Sequence, residues 1–228
     1  MAAASHRPRP ASEPRLPARL EFPGPGRAPS NEAGRWSTAR AERLVSPSAR
    51  SPALTLDEIR LSDCELSGAR IDSLDVIDSE LSRCDLANLA TRRLAARRTL
   101  VTGSRLTGAA CAGAELADVV FEGCRMDLVT LRDARLERVV FRDCVLREAD
   151  LGGLRGDSVL FEDCDLTGVT LTGSRFGRTE LRSCRLDGLI GVDALRGVAM
   201  ADEDVLALAG ALAAALGIRR LDDDLASH

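Results

Sequence analysis

The chain has no lysine and no tyrosine, and only one tryptophan, five phenylalanines and two histidines among its 228 residues. Each scarcity excludes something. A core with so few large rings is narrow and filled by aliphatic side chains. Histidine, the usual acid–base group at neutral pH, occurs only as His6 and His228, one near each end. With lysine absent too, no catalytic constellation is available. No glycine-rich phosphate loop precedes a helix. These features describe a protein that is not an enzyme and takes no cofactor or metal. The longest apolar stretch, Val205 to Leu216, falls short of the roughly 20 residues that span a bilayer. The N-terminal arginines are not followed by the apolar core of a secretory signal. Seven cysteines without such a signal suit a reducing compartment, so a cytoplasmic protein with no membrane contact is expected.

All 31 basic residues are arginine, set against 35 acids for a net charge of −4. Scattered arginines on an acidic chain argue against direct nucleic-acid binding, which needs a basic surface. Proline is absent after Pro52, and all nine prolines fall between Pro8 and Pro52. Residues 1–53 are therefore expected to form a disordered Pro/Arg-rich arm, too poor in aliphatics to offset its ordering entropy. Trp36 lies within it, either exposed or docked on the folded part. The proline-free remainder suits stacked strands, whose backbone N–H groups all donate.

From Leu56 to Leu186 an apolar residue recurs every fifth position, and 24 of 27 in-phase positions are apolar and larger than alanine. Neither a helix nor a single strand has that period; a solenoid does. With i denoting the in-phase residue, position i−2 carries small side chains such as Ser79, Ala109, Ala134 and Val159. Residues two apart share a face in extended chain, so both series point inward. Where the large series fails, at Thr91, Ala96 and Gly156, the i−2 partners are Leu89, Leu94 and Leu154. Volume lost at one position reappears at the other, as a close-packed core requires.

Six cysteines, Cys64, Cys84, Cys124, Cys144, Cys164 and Cys184, are spaced by 20 or twice 20, with Ser104 in the vacant slot. Four pentads thus make one four-sided coil, and the thiols stack on one side as small buried apolar groups. Phe121, Phe141 and Phe161 share the same interval. Segments such as Cys64-Glu-Leu-Ser-Gly68, Cys84-Asp-Leu-Ala-Asn88, Cys164-Asp-Leu-Thr-Gly168 and Ala149-Asp-Leu-Gly-Gly153 resemble the A-(D/N)-L-x-x unit of pentapeptide-repeat proteins. The resemblance covers residues 54–192. It implies an all-β solenoid, a right-handed quadrilateral β-helix of about seven coils. Residues 193–218 are expected to hold a C-terminal helix, begun at Asp202 and closed at Gly217, followed by a flexible acidic tail over 219–228. Its stripe of Val205, Leu208, Leu212, Ala215 and Leu216 either caps the last coil or dimerises, as the C-terminal helix does in proteins of the mycobacterial fluoroquinolone-resistance type.

Positions i−1, i+1 and i+2 face outward and are mostly polar. One column departs from this. Leu100, Val120, Val140 and Leu160 stack at the same i−1 position on consecutive coils, with Val145 on the adjacent side. An apolar stripe of about 14 Å at strand spacing marks a contact with a protein partner or a second copy. Arg92, Arg93, Arg97 and Arg98 form a collar with no acid from 91 to 112; it is expected to bridge to the acidic coils beside it, or to contact an anion. The family's DNA mimics, which bind DNA gyrase or topoisomerase IV and protect them from fluoroquinolones, imply a second function. That function needs a dominantly acidic surface, whereas here the signs are mixed. The sequence therefore favours a non-catalytic interaction protein whose partner it does not name, a type II topoisomerase being the alternative.

Overall fold

The computed structural model describes residues 7–16 and 34–218; the acidic tail expected over 219–228 lies outside them. Among the described residues ten strands run β1 (Arg35–Glu42), β2 (Arg50–Ser62), β3 (Arg70–Ser82), β4 (Ala90–Thr102), β5 (Glu115–Glu122), β6 (Arg135–Arg142), β7 (Arg155–Glu162), β8 (Arg175–Phe176), β9 (Glu180–Arg182) and β10 (Ala199–Met200), and one α-helix follows, α1 (Asp202–Ala215). All pairings are parallel, in the order β1-β2-β3-β4-β5-β6-β7-β9-β10, with β8 beside β7. From β1 to β9 paired residues lie 20 apart, as in Leu61↔Leu81 and Phe121↔Phe141, and β10 pairs with β9 at 19. The four-sided coil deduced from the cysteines is therefore the unit of the fold. Among the described residues no helix is long and apolar enough to cross a membrane.

The corners explain why five residues make one side. Position i+2 adopts a left-handed backbone at nearly every corner, as glycine in Gly68, Gly108, Gly113 and Gly168, and also as Asp63, Arg83, Asn88 and Asp118. Two of the four corners are β-turns closed by a backbone bond from i+3 to i, such as Ala69 N–H to the Leu66 carbonyl (3.2 Å) and Ala114 N–H to Cys111 (3.2 Å). With a left-handed residue at the third turn position, these are type II turns. Inside, the small i−2 residues serve the backbone as well as the core. The Ser79 hydroxyl accepts from Ile59 N–H (3.1 Å) and donates to the Ile77 carbonyl (2.7 Å). Ser104, in the vacant cysteine slot, likewise accepts from Cys84 N–H at 3.0 Å. The cysteines of that row direct their thiols at backbone carbonyls, Cys144 and Cys164 at Phe121 and Phe141 of the coil before. On the side between the cysteines, the rings of Phe121, Phe141 and Phe161 stack with centroids 5.1 and 4.9 Å apart, both pairs within 5° of parallel.

The solenoid begins earlier than residue 54. β1 starts at Arg35, and the pairing column through Arg40, Arg60, Glu80, Leu100, Val120, Val140, Leu160 and Glu180 gives eight coils rather than seven. The first coil escapes the pentad pattern because its in-phase residues are Trp36, Ala41, Ser46 and Ser51. Leu44, buried at the i−2 position, and the half-buried Leu54 restore part of the volume. Trp36 is thus an in-phase core residue of the terminal coil, neither a free ring nor a docked anchor. Pro47 and Pro52 are tolerated because both take position i+1. At the equivalent Ala87, Gly152 and Thr167 the N–H bonds to the aspartate two residues back, at 3.0–3.1 Å, and not to the next coil.

At the far end, a 3-10 turn over Val192–Leu195 buries Val192, Ala194 and Leu195. On α1 only Leu208 and Asp204 are buried, and Leu212 is half-buried against the core. The helix therefore covers the last coil with a narrow face, while Val205 and Leu216 stay exposed, at 43% and 75%. Asp202 does not cap it. Ala201 holds that position and offers no side chain, while Gly217, at φ +73°, ends the helix as expected.

Candidate interaction face

The outward apolar column is real in register. Glu80↔Leu100, Leu100↔Val120, Val120↔Val140, Val140↔Leu160 and Leu160↔Glu180 pair directly, so four apolar side chains stand between two glutamates on one long edge of the rod. Val145 is not part of it. It lies on another side between Arg125 and Asp165 and is half-buried.

Beside the apolar column runs the corner column Asp78, Arg98, Asp118, Arg138. Arg98 binds Asp78 through Nε and Nη2, both at 2.6 Å, and Arg138 binds Asp118 at 2.7 and 2.8 Å. Residues 7–16, expected to be disordered, run along this edge. Ser12 N–H donates to Asp118 Oδ1 at 3.0 Å, and Arg15 N–H donates to Asp78 Oδ1 at 3.1 Å. Residues 7–14 and the apolar column, together with Glu80, Glu122, Arg142 and Arg182, enclose a space of about 670 Å³. The arm spans the stripe without filling it. Sequence reasoning missed the two aspartates, because nothing in a repeat marks which acids will receive a peptide from elsewhere in the chain.

Each carboxylate is doubly held. Arg138 first, then the Ser12 N–H, brings Asp118 down to about 2 against partial burial, and Arg98 with the Arg15 N–H lowers Asp78 in the same way. A depressed folded value means that the contact is fully made above the unfolded carboxylate pKa, 3.8, and is lost as the pH falls through about 2. We expect the amide resonances of Ser12 and Arg15 to shift together in an acid titration, with a midpoint below 3.8. A midpoint at or above that value would show that the arm is not held by these carboxylates.

The arginine collar bridges to the preceding acidic coil. Arg92 pairs with Asp72 (3.5 Å), Arg93 with Asp75 (2.7 Å), Arg98 with Asp78 (2.6 Å) and Arg105 with Asp85 (3.2 Å). Arg97 is exposed and has no ion pair among the described residues. The four collar arginines therefore do not converge on an anion. The same coil-to-coil pairing recurs in Arg60–Glu80, Arg142–Glu162 and Arg185–Asp165. Exposed pairs of this kind add little stability, yet they neutralise most of the acid on the sides they cross. In the core, burial pushes the Cys111 thiol up to about 11, so it stays protonated and unreactive at neutral pH.

A pentapeptide repeat region is recognised over residues 98–171 and pentapeptide repeats (8 copies) over 160–189. No curated protein matches the chain. Similar solved structures include a trypsin-treated variant of QnrB1, a plasmid-mediated fluoroquinolone resistance protein, with 15% identity over 89% of this chain and 98% of that one and a TM-score of 0.43. Another is HetL, a pentapeptide repeat protein involved in heterocyst differentiation regulation from the cyanobacterium Nostoc sp. strain PCC 7120, with 18% identity over 73% of this chain and 91% of that one and a TM-score of 0.33.

Proposed function

We propose that this chain, which carries pentapeptide repeats over residues 98–171 and 160–189, is a non-catalytic interaction protein presenting one long edge of its rod to a protein partner. The observation that carries this reading is the apolar column of Leu100, Val120, Val140 and Leu160, stacked outward in register and only half covered by the chain's own arm. Outward apolar residues on four successive coils are an interaction surface in chemical terms: burying them gains free energy that scattered ones do not supply. Catalysis has no comparable support. The two carboxylates that hold the arm, Asp78 and Asp118, are paired with arginines, which lowers their pKa below the range useful to a general base.

The double variant Leu100→Glu/Val140→Glu tests this reading. Both side chains point outward, so the coil ladder and circular dichroism spectrum should be unchanged while chemical cross-linking to a partner, or self-association, falls by tenfold or more. Unchanged cross-linking and oligomeric state in a folded double variant would remove the column as the contact.

The DNA-mimic reading is disfavoured by the ion pairs. A surface that imitates a duplex needs unneutralised negative charge at close spacing, whereas arginines on the following coil bind Asp63, Asp72, Asp78, Asp85 and Asp118. Saturating protein is expected to leave gyrase supercoiling unchanged, with or without a quinolone. Protection from the drug would reinstate topoisomerase as the partner.

A further inference from the structure

Residues 7–16 read Arg-Pro-Arg-Pro-Ala-Ser-Glu-Pro-Arg-Leu. From Arg7 to Arg15 the half-buried positions are Pro8, Ala11 and Pro14, and the six others are exposed. Burial with a period of three is the signature of neither strand nor α-helix. It belongs to the polyproline-II helix, which has three residues per turn and favours proline. The donors obey the same period, since the N–H groups that reach the rod are those of Ser12 and Arg15.

The rod has the matching ruler. Asp78 and Asp118 are two coils apart, which at strand spacing is about 9.6 Å. One polyproline-II turn advances about 9.3 Å. Three peptide residues therefore advance in step with two coils, and the arm runs from the C-terminal coils towards the N-terminal ones. One turn earlier lies Arg9, whose charge favours the ionised form of Asp157, two coils beyond Asp118. The three prolines at 8, 10 and 14 avoid the two positions whose N–H is needed. Meanwhile Pro8, Ala11 and Pro14 present a small apolar face, and the space of about 670 Å³ between arm and column leaves room for larger groups.

We propose that this edge is a docking groove for a proline-rich protein segment in polyproline-II form, read at three residues per two coils, and that residues 7–16 are its resident, displaceable occupant. The inference deepens the interaction reading above and rests on it. Specificity resides in two parts. The aspartate pair demands free N–H groups three residues apart, and the column of Leu100, Val120, Val140 and Leu160 favours apolar residues just before each of them. A partner segment carrying bulkier apolar residues where the arm has Pro8, Ala11 and Pro14 would fill the space the arm leaves. Because the arm is tethered, it competes at a high effective concentration, so the groove admits a partner only when that partner binds better or the arm is drawn off.

The test uses the full-length chain and a fluorescein-labelled peptide of the sequence of residues 7–16. Ser12→Pro/Arg15→Pro deletes both donors while keeping the polyproline-II backbone, and Ala11→Pro keeps both donors and enlarges the face towards the rod. All three substitutions lie in the arm and leave the coils untouched. By fluorescence anisotropy the peptide is expected to bind Ser12→Pro/Arg15→Pro saturably, to bind the wild type at least tenfold more weakly, and to bind Ala11→Pro most weakly. Equal affinity for all three would show that the arm does not occupy the groove. Absence of binding to the double-proline variant at millimolar peptide would show that there is no groove. A wild-type dimer that becomes monomeric in the double-proline variant would assign the arm to a second copy and overturn the intramolecular assignment. The peptide measurement is independent of any external partner, so it can fail while the Leu100→Glu/Val140→Glu result stands, and the reverse.

Discussion

Phe141→Ala is expected to destabilise the rod by about 3–5 kcal/mol, the range for removing a fully buried ring. Phe141 has no solvent exposure and is stacked on both faces, against Phe121 and Phe161. The cavity cannot close, because each neighbouring ring is fixed to its own coil by a parallel backbone ladder. A loss of that size is a large share of the 5–15 kcal/mol that holds a typical domain. The form of the transition should change as well. Solenoid stability is a sum of coil terms and coil–coil interfaces, and Phe141 sits at a central interface. Trp36 reports on the first coil alone, so in urea its fluorescence should separate from the circular dichroism transition in the variant and coincide with it in the wild type. A loss below about 1 kcal/mol would mean that the phenylalanine row is not a structural spine.

Proline at two exposed alanines only two residues apart should have opposite consequences. Ala110 N–H donates to the Leu89 carbonyl at 2.7 Å, and Ala110→Pro removes that bond and crowds the ladder, at a cost of about 3 kcal/mol by analogy with proline elsewhere in regular structure. Ala112 is the second residue of the type II turn closed by Ala114 N–H on the Cys111 carbonyl, with Gly113 at φ +69° behind it. Proline is favoured at that position, and Pro52 occupies the same column three coils earlier along the rod. Ala112→Pro should therefore be neutral or stabilising by up to about 1 kcal/mol. Paired thermal melts decide the matter, and equal losses in both variants would contradict the corner geometry.

These two results also mark what could and could not be read in the sequence. The coil length followed from Cys64 to Cys184 and is the observed register, because a column of identical small residues can arise only where successive coils lie in phase. Compensation at Gly156 was half visible. Leu154 is fully buried as expected, but the ring of Phe176, one coil on, also fills the gap, within 2.9 Å of where a Gly156 Cβ would lie. The apolar column was legible because the same register fixes which positions face outward.

Other features were hidden for physical reasons. The first coil carries Ala41, Ser46 and Ser51 where later coils carry leucine, and its two prolines imitate a disordered arm until the turn position that tolerates them is known. The corners take Asp, Arg, Asn and Ser in left-handed conformation as readily as glycine, so no composition signal marks them. The threefold burial of Pro8, Ala11 and Pro14 is visible only against a rod of known spacing. At the C-terminus, the 3-10 turn seals much of the core by itself, which leaves Leu208 and Leu212 as the contacts of α1 and the remainder of its stripe exposed.

The claim that this edge of the rod is its interaction surface is tested most directly by site-specific photo-cross-linking in cells. A benzophenone amino acid replaces either Val140, in the apolar column, or Leu128, which is 54% exposed on another side. The account predicts a discrete cross-linked protein from position 140, stronger when Ser12→Pro/Arg15→Pro frees the groove and absent from position 128. Equal cross-linking from both positions, or none from position 140 with the arm released, would contradict it.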